Sequence, residues 1–514
     1  MALVPLQDIA VTLRPEDNVA IATQNLHKGL RVELGGQTIE LPQAIRLGHK
    51  VAIRPIPKKE PVYKYGQIIG FANEDIPLGE HVHEHNISAE AFERDYAFCV
   101  DCPPPMPTPE PRYFLGYDRG NGRYGTRNYV AIISTVNCSA STNKYISERI
   151  RASGILDEFA NIDGVVAITH KAGCAMQYGG EDHNQLDRTL AGFAKHPNVA
   201  AYVIIGLGCE TGAAIHLIEN QGLIQLNGGN GPPVLSIQET GGIAKTVEAG
   251  VRMVVQMLPR ANDVRRTKLS ADKLILGTQC GGSDGNSGVT ANPALGVAAD
   301  MLVAQGGTAI LAETSEIYGA EHLLTRRAIS REVGEKLVDR IKWWEWYAGI
   351  FGTEINNNPS PGNKEGGLTT IYEKSLGAIA KGGTTALMDV LRYAEPARKK
   401  GFLIMDTPGY DPVSMTGLVA GGANVLAFTT GRGSVFGCKP VPSIKIATNT
   451  PMYEQMIDDM DVNAGVVLEG VSVEELGKQM FEEILEVASG KKTKSELSGV
   501  GEEEFAPWSV GPTL

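Results

Sequence analysis

Four cysteines of this chain occupy one kind of setting. Cys138, Cys174, Cys209 and Cys280 each follow a short apolar run that reads as a buried β-strand: VAIISTVN, GVVAITHKAG, AYVIIGLG and KLILGTQ. In a parallel sheet the residues just past the strand C-termini face the crevice where ligands bind, so thiols placed this way can meet at one site. That placement favours metal chemistry over disulfides. Widely spaced thiolates hold an iron–sulfur cluster, and three of them leave one iron free to act as a Lewis acid on a substrate hydroxyl. The plainer reading is that each is a small half-buried residue, a common setting for free cysteine. Against it, three of the four stand beside glycine, in AGC, LGC and CGG.

A second group lies in Gly79-EHVHEHN, where His81, His83 and His85 alternate. On a β-strand that spacing puts all three imidazoles on one face, suited to a divalent metal, with Glu84 on the other. An exposed polar edge strand is the competing reading. His49 and His170 each precede a lysine, Lys50 and Lys171, and either pair would set a base beside an anion-binding cation. Arg432, in a glycine-rich loop after a strand, is a fork for a carboxylate. The densest polar loops are Cys280-GGSDGNSGVTANPALG, Asn358-PSPGNKEGG, Asp406-TPGYDP and Thr429-TGRG, all following strands or joining elements. No GxxxxGK[ST] occurs, and the glycines near 206 and 431 are misspaced for GxGxxG, so nucleotide binding has little support.

The elements that must position these groups read as α/β. Residues 1–101 alternate short β-type runs with turn residues and predict a small antiparallel β domain. Residues 102–112 carry six prolines in the nine residues PPPMPTPEP, which predicts a stiff extended linker. Residues 113–265 and 266–514 alternate apolar runs with helical periods, the rhythm of two α/β domains with mainly parallel sheets. The boundary between them is placed at PRANDVRRTKLSADK, where strand character fades.

The 59 acidic residues exceed the 47 Lys and Arg for a net charge of −12, which disfavours nucleic acid and anionic membranes as partners. No run reaches the roughly 18 apolar residues of a membrane span, and no secretory leader is evident at the N-terminus, so a cytoplasmic protein with reduced thiols is expected. Self-association as a homo-oligomer is compatible with the chain but not encoded in any motif.

Taken together, DNVAIA, GHKVAI, KYGQIIG, GEHVHEHN, YGTRNY, HKAGC, IGLGCE, QCGGSDGNSGVTANPALG, NPSPGNKEGG, TTGRG and IKIATN resemble the altronate and galactarate dehydratase family of sugar-acid hydro-lyases over nearly the whole chain. The resemblance implies an N-terminal SAF-type β domain. HVHEHN, GAEHLL, DVLRYAE and the terminal GPTL resemble the altronate branch, with galactarate dehydration as the runner-up and a related sulfolactate sulfo-lyase or a nonenzymatic sugar-acid binder behind it. The resemblance implies removal of water from a 2,3-dihydroxy acid to give a 2-keto-3-deoxy acid, with Fe2+ or a similar divalent ion such as Mn2+ required; the iron–sulfur cluster that the cysteines themselves suggest is the alternative. In that reaction His49 or His170 would be the base, the metal would sit on the cysteines or on the histidine group, and Lys171, Lys364 and Arg432 would hold the carboxylate. Lys50, Asp284, Asn292 and Asn363 are expected to contact the substrate, the last three through its hydroxyls.

Overall fold

The structure is a computed structural model that describes residues 3–90, 92, 94–223 and 231–510; the terminal GPTL lies outside the described residues. The fold is α/β, with antiparallel strands at the N-terminus followed by α/β regions built on parallel sheets. Within residues 3–90 a four-stranded antiparallel sheet runs in the order Ala10–Val11, Val19–Ala22, Lys50–Ala52, His81–Val82. Val19, Ala52, Val62, Ile69 and Val82 pack beneath it, and that same cluster takes in Ala320 and Leu376 from far along the chain. Each such buried aliphatic contributes about 1.5–3 kcal/mol, so the N-terminal region is fastened to the C-terminal one.

The middle region holds a parallel sheet ordered Gly164–Ile168, Tyr129–Ser134, Val199–Gly206, Val234–Ser236. Its central strands are apolar at nearly every position because both faces are covered, as a parallel sheet requires. Helices Asn137–Ala152 and Ile243–Asn262 cover one face through Ile146, Val247 and Val254. The other face, with Ala131 and Ile133, joins one hydrophobic core with Ile310, Leu403 and Met405.

Near residue 266 the structure differs from expectation. Thr267–Ser270 is a strand, paired antiparallel with Tyr113–Asp118. Its basic residues concealed it, because pairing with a strand about 150 residues earlier is invisible to local pattern. Beyond it, seven parallel strands run in the order Leu387–Leu391, Gly401–Met405, Thr308–Leu311, Ile275–Cys280, Val425–Thr430, Ser443–Ala447, Val462–Asn463. Chain direction across this sheet reverses at Ile275–Cys280, and such a switch point opens a crevice at the strand C-termini. The loops after Cys280 and Thr430 border it. No described helix is long and apolar enough to cross a membrane.

Candidate active site

The N-terminal region sits over that crevice, and glycine lets it come close. A Cβ at Gly285 would stand 1.9 Å from the Gly48 carbonyl oxygen, and one at Gly367 would stand 2.5 Å from it. This contact carries His49 to the far side of the seam. Its Nε2 lies 3.1 Å from the carbonyl oxygen of Glu365, and its Nδ1 lies 3.0 Å from Nε2 of His81. A carbonyl only accepts, so Nε2 carries the hydrogen and Nδ1 turns its lone pair toward His81. One ring nitrogen from each of His49, His81 and His83 lies within 4.8 Å of the other two, and Nδ1 of His83 is buried without a partner among the described residues. Burial lowers all three pKa values, His81 to about 3 and His83 to about 4. The imidazoles are neutral at neutral pH, the form that binds a metal.

The expected single face of His81, His83 and His85 does not form. The strand ends at Val82, and a turn follows. Asn86 closes it, accepting from the His83 amide at 2.9 Å and donating to the His81 carbonyl at 2.9 Å. The turn stacks the His83 ring on His81 with centroids 5.3 Å apart and leaves His85 exposed, its ring 5.5 Å from His81. His49, just ahead of the strand Lys50–Ala52, takes the third place.

Two cations border the group. Lys364 pairs with Glu84 across the seam at 3.1 Å, and Arg432 pairs with Glu365 at 3.4 Å. Both are partly exposed and so can reach an anion. Lys50 cannot: it is fully buried, donating to both oxygens of Glu373 at 3.0 and 2.9 Å and to the Gly367 carbonyl at 2.6 Å. Lys64 donates to the same carboxylate at 2.8 Å. Burial opposes charge on Glu373, but Lys50 and Lys64 outweigh it and hold the carboxyl well below the usual range. This triad fastens the seam from below.

Three further residues expected at the substrate are structural. Asp284 is buried and accepts from Ser287, Thr448 and Asn449, fixing the loop after Cys280. Asn292 spends its amide on the Gly377 carbonyl and on the Thr429 hydroxyl. Asn363 closes a capping box with Ser360 and donates to the Ser283 carbonyl. Asparagine and aspartate in Gly-rich loops shape turns at least as often as they bind ligands.

The four cysteines divide between two sheets. Cys138, Cys174 and Cys209 are exposed in the middle region, whereas Cys280 is buried at the end of the seven-stranded sheet. Lys381 donates to its sulfur at 2.7 Å and pairs with Glu313 at 2.9 Å. Glu316, paired with Lys374 at 2.7 Å, and Asp411, linked through Gln279, complete this pocket. Burial lifts Glu313 to about 8 and Asp411 to about 6. Three carboxyls against two ammonium groups therefore keep a proton at neutral pH. Of these acids and lysines the sequence points only to Asp411, within Asp406-TPGYDP; the signal for Glu313 and Glu316 is LAETSE directly after an apolar strand, with Lys374 and Lys381 on neighbouring turns.

His170 also lies in the middle region, apart from the seam. Its Nε2 meets the Ser134 carbonyl at 2.9 Å and its Nδ1 accepts from the Ala172 amide at 3.2 Å. Both nitrogens are committed, so it holds a loop and is no base; Lys171 beside it is exposed in that same loop.

Three family descriptions match consecutive parts of the chain: the altronate/galactarate dehydratase SAF domain over residues 8–90, the second domain of D-galactarate dehydratase/altronate hydrolase over 116–262, and the D-galactarate/altronate dehydratase C-terminal domain over 271–513. An altronate dehydratase of Bacillus subtilis is 35% identical over 507 residues, 98% of this chain and 99% of its own. A galactarate dehydratase (L-threo-forming) of Escherichia coli is 37% identical over 490 residues, 94% of this chain and 93% of its own. The beta subunit of a (2R)-sulfolactate sulfo-lyase of Chromohalobacter salexigens is 32% identical over 397 residues, 76% of this chain and 95% of its own. The fold and these matches define a carbon–oxygen lyase of the hydro-lyase class. The chain belongs to the altronate/galactarate dehydratase family.

Proposed function

We propose that this enzyme dehydrates D-altronate to 2-dehydro-3-deoxy-D-gluconate in the cytoplasm, at the seam between the N-terminal region and the seven-stranded sheet, with Fe2+ or Mn2+ on His49, His81 and His83. The observation that carries this reading is the convergence of three neutral imidazoles, one with an orphaned buried nitrogen, beside two reachable cations. Those donors suit a borderline divalent ion. Bound there, the ion supplies Lewis acidity toward a substrate hydroxyl.

The C2 proton of a carboxylate substrate is weakly acidic, so the reaction needs its carboxylate held by positive charge while a base takes the proton. Arg432 offers a planar fork and Lys364 a mobile point charge for that purpose. Each must leave its surface partner, Glu365 or Glu84, which costs little because exposed pairs are worth about 0–1 kcal/mol. His85 is the imidazole outside the triad, and it takes the C2 proton. Loss of hydroxide from C3 then leaves an enol that ketonises, and the proton and hydroxide together make water.

Galactarate is the second reading, favoured by the 37% identity to an enzyme of that name. Anaerobic incubation with Fe2+ and a panel of hexonates and hexarates, assayed for 2-keto-3-deoxy product, separates the two. Altronate is expected to give at least about tenfold the kcat/KM of galactarate, a difference of about 1.4 kcal/mol. Turnover of sulfolactate to sulfite with no sugar acid consumed sinks the proposal.

A further inference from the structure

The middle region contains a second place built for a ligand, which shares no residue with the histidine seam. Strands Gly164–Ile168, Tyr129–Ser134 and Val199–Gly206 are adjacent and parallel, so Cys174, Cys138 and Cys209 leave the same edge of one sheet, side by side. The three loops are tied together next to each thiol. The Asn137 amide donates to the Ala172 carbonyl at 3.0 Å, the Gly212 amide donates to the Gly173 carbonyl at 3.2 Å, and the Thr135 hydroxyl donates to Glu210 at 2.7 Å. Gly173 is packed so closely that a Cβ there would lie 2.3 Å from the Thr135 carbonyl oxygen. Cys138 and Cys174 each lie within two residues of such a tie, and Cys209 adjoins Glu210.

All three thiols are free and exposed. A polar group beneath them lacks a partner. His183 is fully buried, and its Nδ1 accepts from the Gly179 amide at 3.4 Å, which leaves the hydrogen on Nε2. That Nε2 is buried with no hydrogen-bond partner among the described residues, 3.9 Å from where a Cβ on Gly212 would stand. An orphaned buried donor costs about 1–3 kcal/mol unless an acceptor arrives. The donor therefore calls for an electron-rich atom among the thiol loops.

The thiols are not grouped as the ligands of a single ion would be. One tetrahedral ion with metal–sulfur bonds of about 2.3 Å would draw its sulfurs to about 3.8 Å from one another. The three sulfurs do not fall within 4.8 Å as a set, although two other groups in the chain do. A polynuclear core, with sulfide between its irons, spans thiolates that one ion cannot. We propose that Cys138, Cys174 and Cys209 bind a [4Fe–4S] cluster on the second domain, with one iron lacking a cysteine ligand and His183 donating to a sulfur of the cluster or of a ligating cysteine. Capture is ligand exchange: each thiol releases its proton to solvent and bonds one iron as a carrier thiolate leaves, and no electron is transferred.

The test uses the full-length chain, incubated anaerobically with a preformed [4Fe–4S] cluster on a small-molecule thiolate and then desalted. Wild type is expected to retain about four irons and four acid-labile sulfides per chain, with broad thiolate-to-iron absorption in the visible. Cys138→Ser, Cys174→Ser and Cys209→Ser should each cut retained sulfide at least about fourfold, while Cys280→Ser and Cys438→Ala retain it in full. Circular dichroism and thermal midpoints verify that each variant is folded; His183→Gln, which keeps a donor, should retain the cluster better than His183→Leu. Wild type that retains no sulfide, or equal sulfide retention by the triple serine variant, overturns the proposal. None of these readouts depends on which sugar acid is dehydrated or on the histidine group.

Discussion

The histidine group at the seam and the Cys280 pocket each bring three potential metal ligands within 4.8 Å, yet they are prepared for opposite things. In the Cys280 pocket Lys381 stands 2.7 Å from the sulfur and 2.9 Å from Glu313, and Lys374 satisfies Glu316. An ammonium already occupies the place a cation's charge would take. The histidines have no such resident: they are neutral, partly accessible, and one nitrogen is orphaned. A cluster of ligand-type residues is a site only where its polarity is left unspent. By that criterion the pocket is a structural and proton-holding element, which supports the proposal that the chemistry takes place at the seam.

The largest effect should come from breaking the seam's own ion triad. Glu373→Gln leaves Lys50 and Lys64 buried without a counter-charge, and loss of one partner of a buried pair costs ~3–5 kcal/mol. Glu313→Gln in the Cys280 pocket should cost less than about 1 kcal/mol, since the amide mimics a carboxyl that already carries the shared proton. Urea denaturation measures both. Equal losses would show the pocket to be as dependent on its charges as the seam.

Next in size is loss of the ligating imidazole. His81→Ala should abolish retention of the iron in excess of acid-labile sulfide and lower kcat about 10²- to 10³-fold, the several kcal/mol a Lewis acid contributes. Cys280→Ser should leave iron on the histidines unchanged by elemental analysis. If the serine variant loses iron and the alanine variant keeps it, the two clusters must exchange roles.

The same comparison has a pH signature of opposite sign. Glu373 has a folded pKa below its usual 4.5, so its contribution is present above that value and disappears as pH falls through the lower folded one. Glu313 sits at about 8 when folded against 4.5 otherwise. Between those values the folded chain holds a proton the unfolded chain has released, so this carboxyl makes stability decline as pH rises from about 5 to 8. Thermal midpoints across that range should slope less in Glu313→Gln than in wild type. An unchanged slope would place the proton elsewhere in the pocket.

Local pattern made much of this legible. The strand runs VAII, LILG and VLAF fall in parallel sheets, both faces of which demand apolar residues; Cys138, Cys174 and Cys209 each follow such a strand, and Cys280 is the last residue of one. What pattern could not show was which strand ends face one another. Cys280 was separated from the other thiols by belonging to another sheet, and His49 joined His81 only because Gly48, Gly285 and Gly367 allow two remote backbones to touch. Asp284 and Asn363 spend hydrogen bonds on their own polar loops, whereas Lys50 spends its on Glu373 and Gly367, Asn292 on Gly377 and Thr429, and His170 on Ser134 and Ala172. Neither composition nor spacing distinguishes such committed groups from ones held ready for a substrate.

Arg432 is the smallest and most discriminating case, because it stands where those two uses part. Its guanidinium is 47% exposed and meets Glu365 at 3.4 Å, a pair too solvated to matter much to folding. Arg432→Gln should therefore change unfolding free energy by no more than about 0.5 kcal/mol. If the fork holds the substrate carboxylate, KM should rise about tenfold while kcat falls less than about threefold, since binding shared by ground and transition states is lost from KM alone. Arg432→Lys should recover only part of that, because an ammonium cannot reproduce two parallel hydrogen bonds to a carboxylate. A large drop in kcat at unchanged KM would instead place Arg432 on the developing charge of the enol. Marked destabilisation would return it to the company of Asp284 and Asn363, as a residue that shapes the loop.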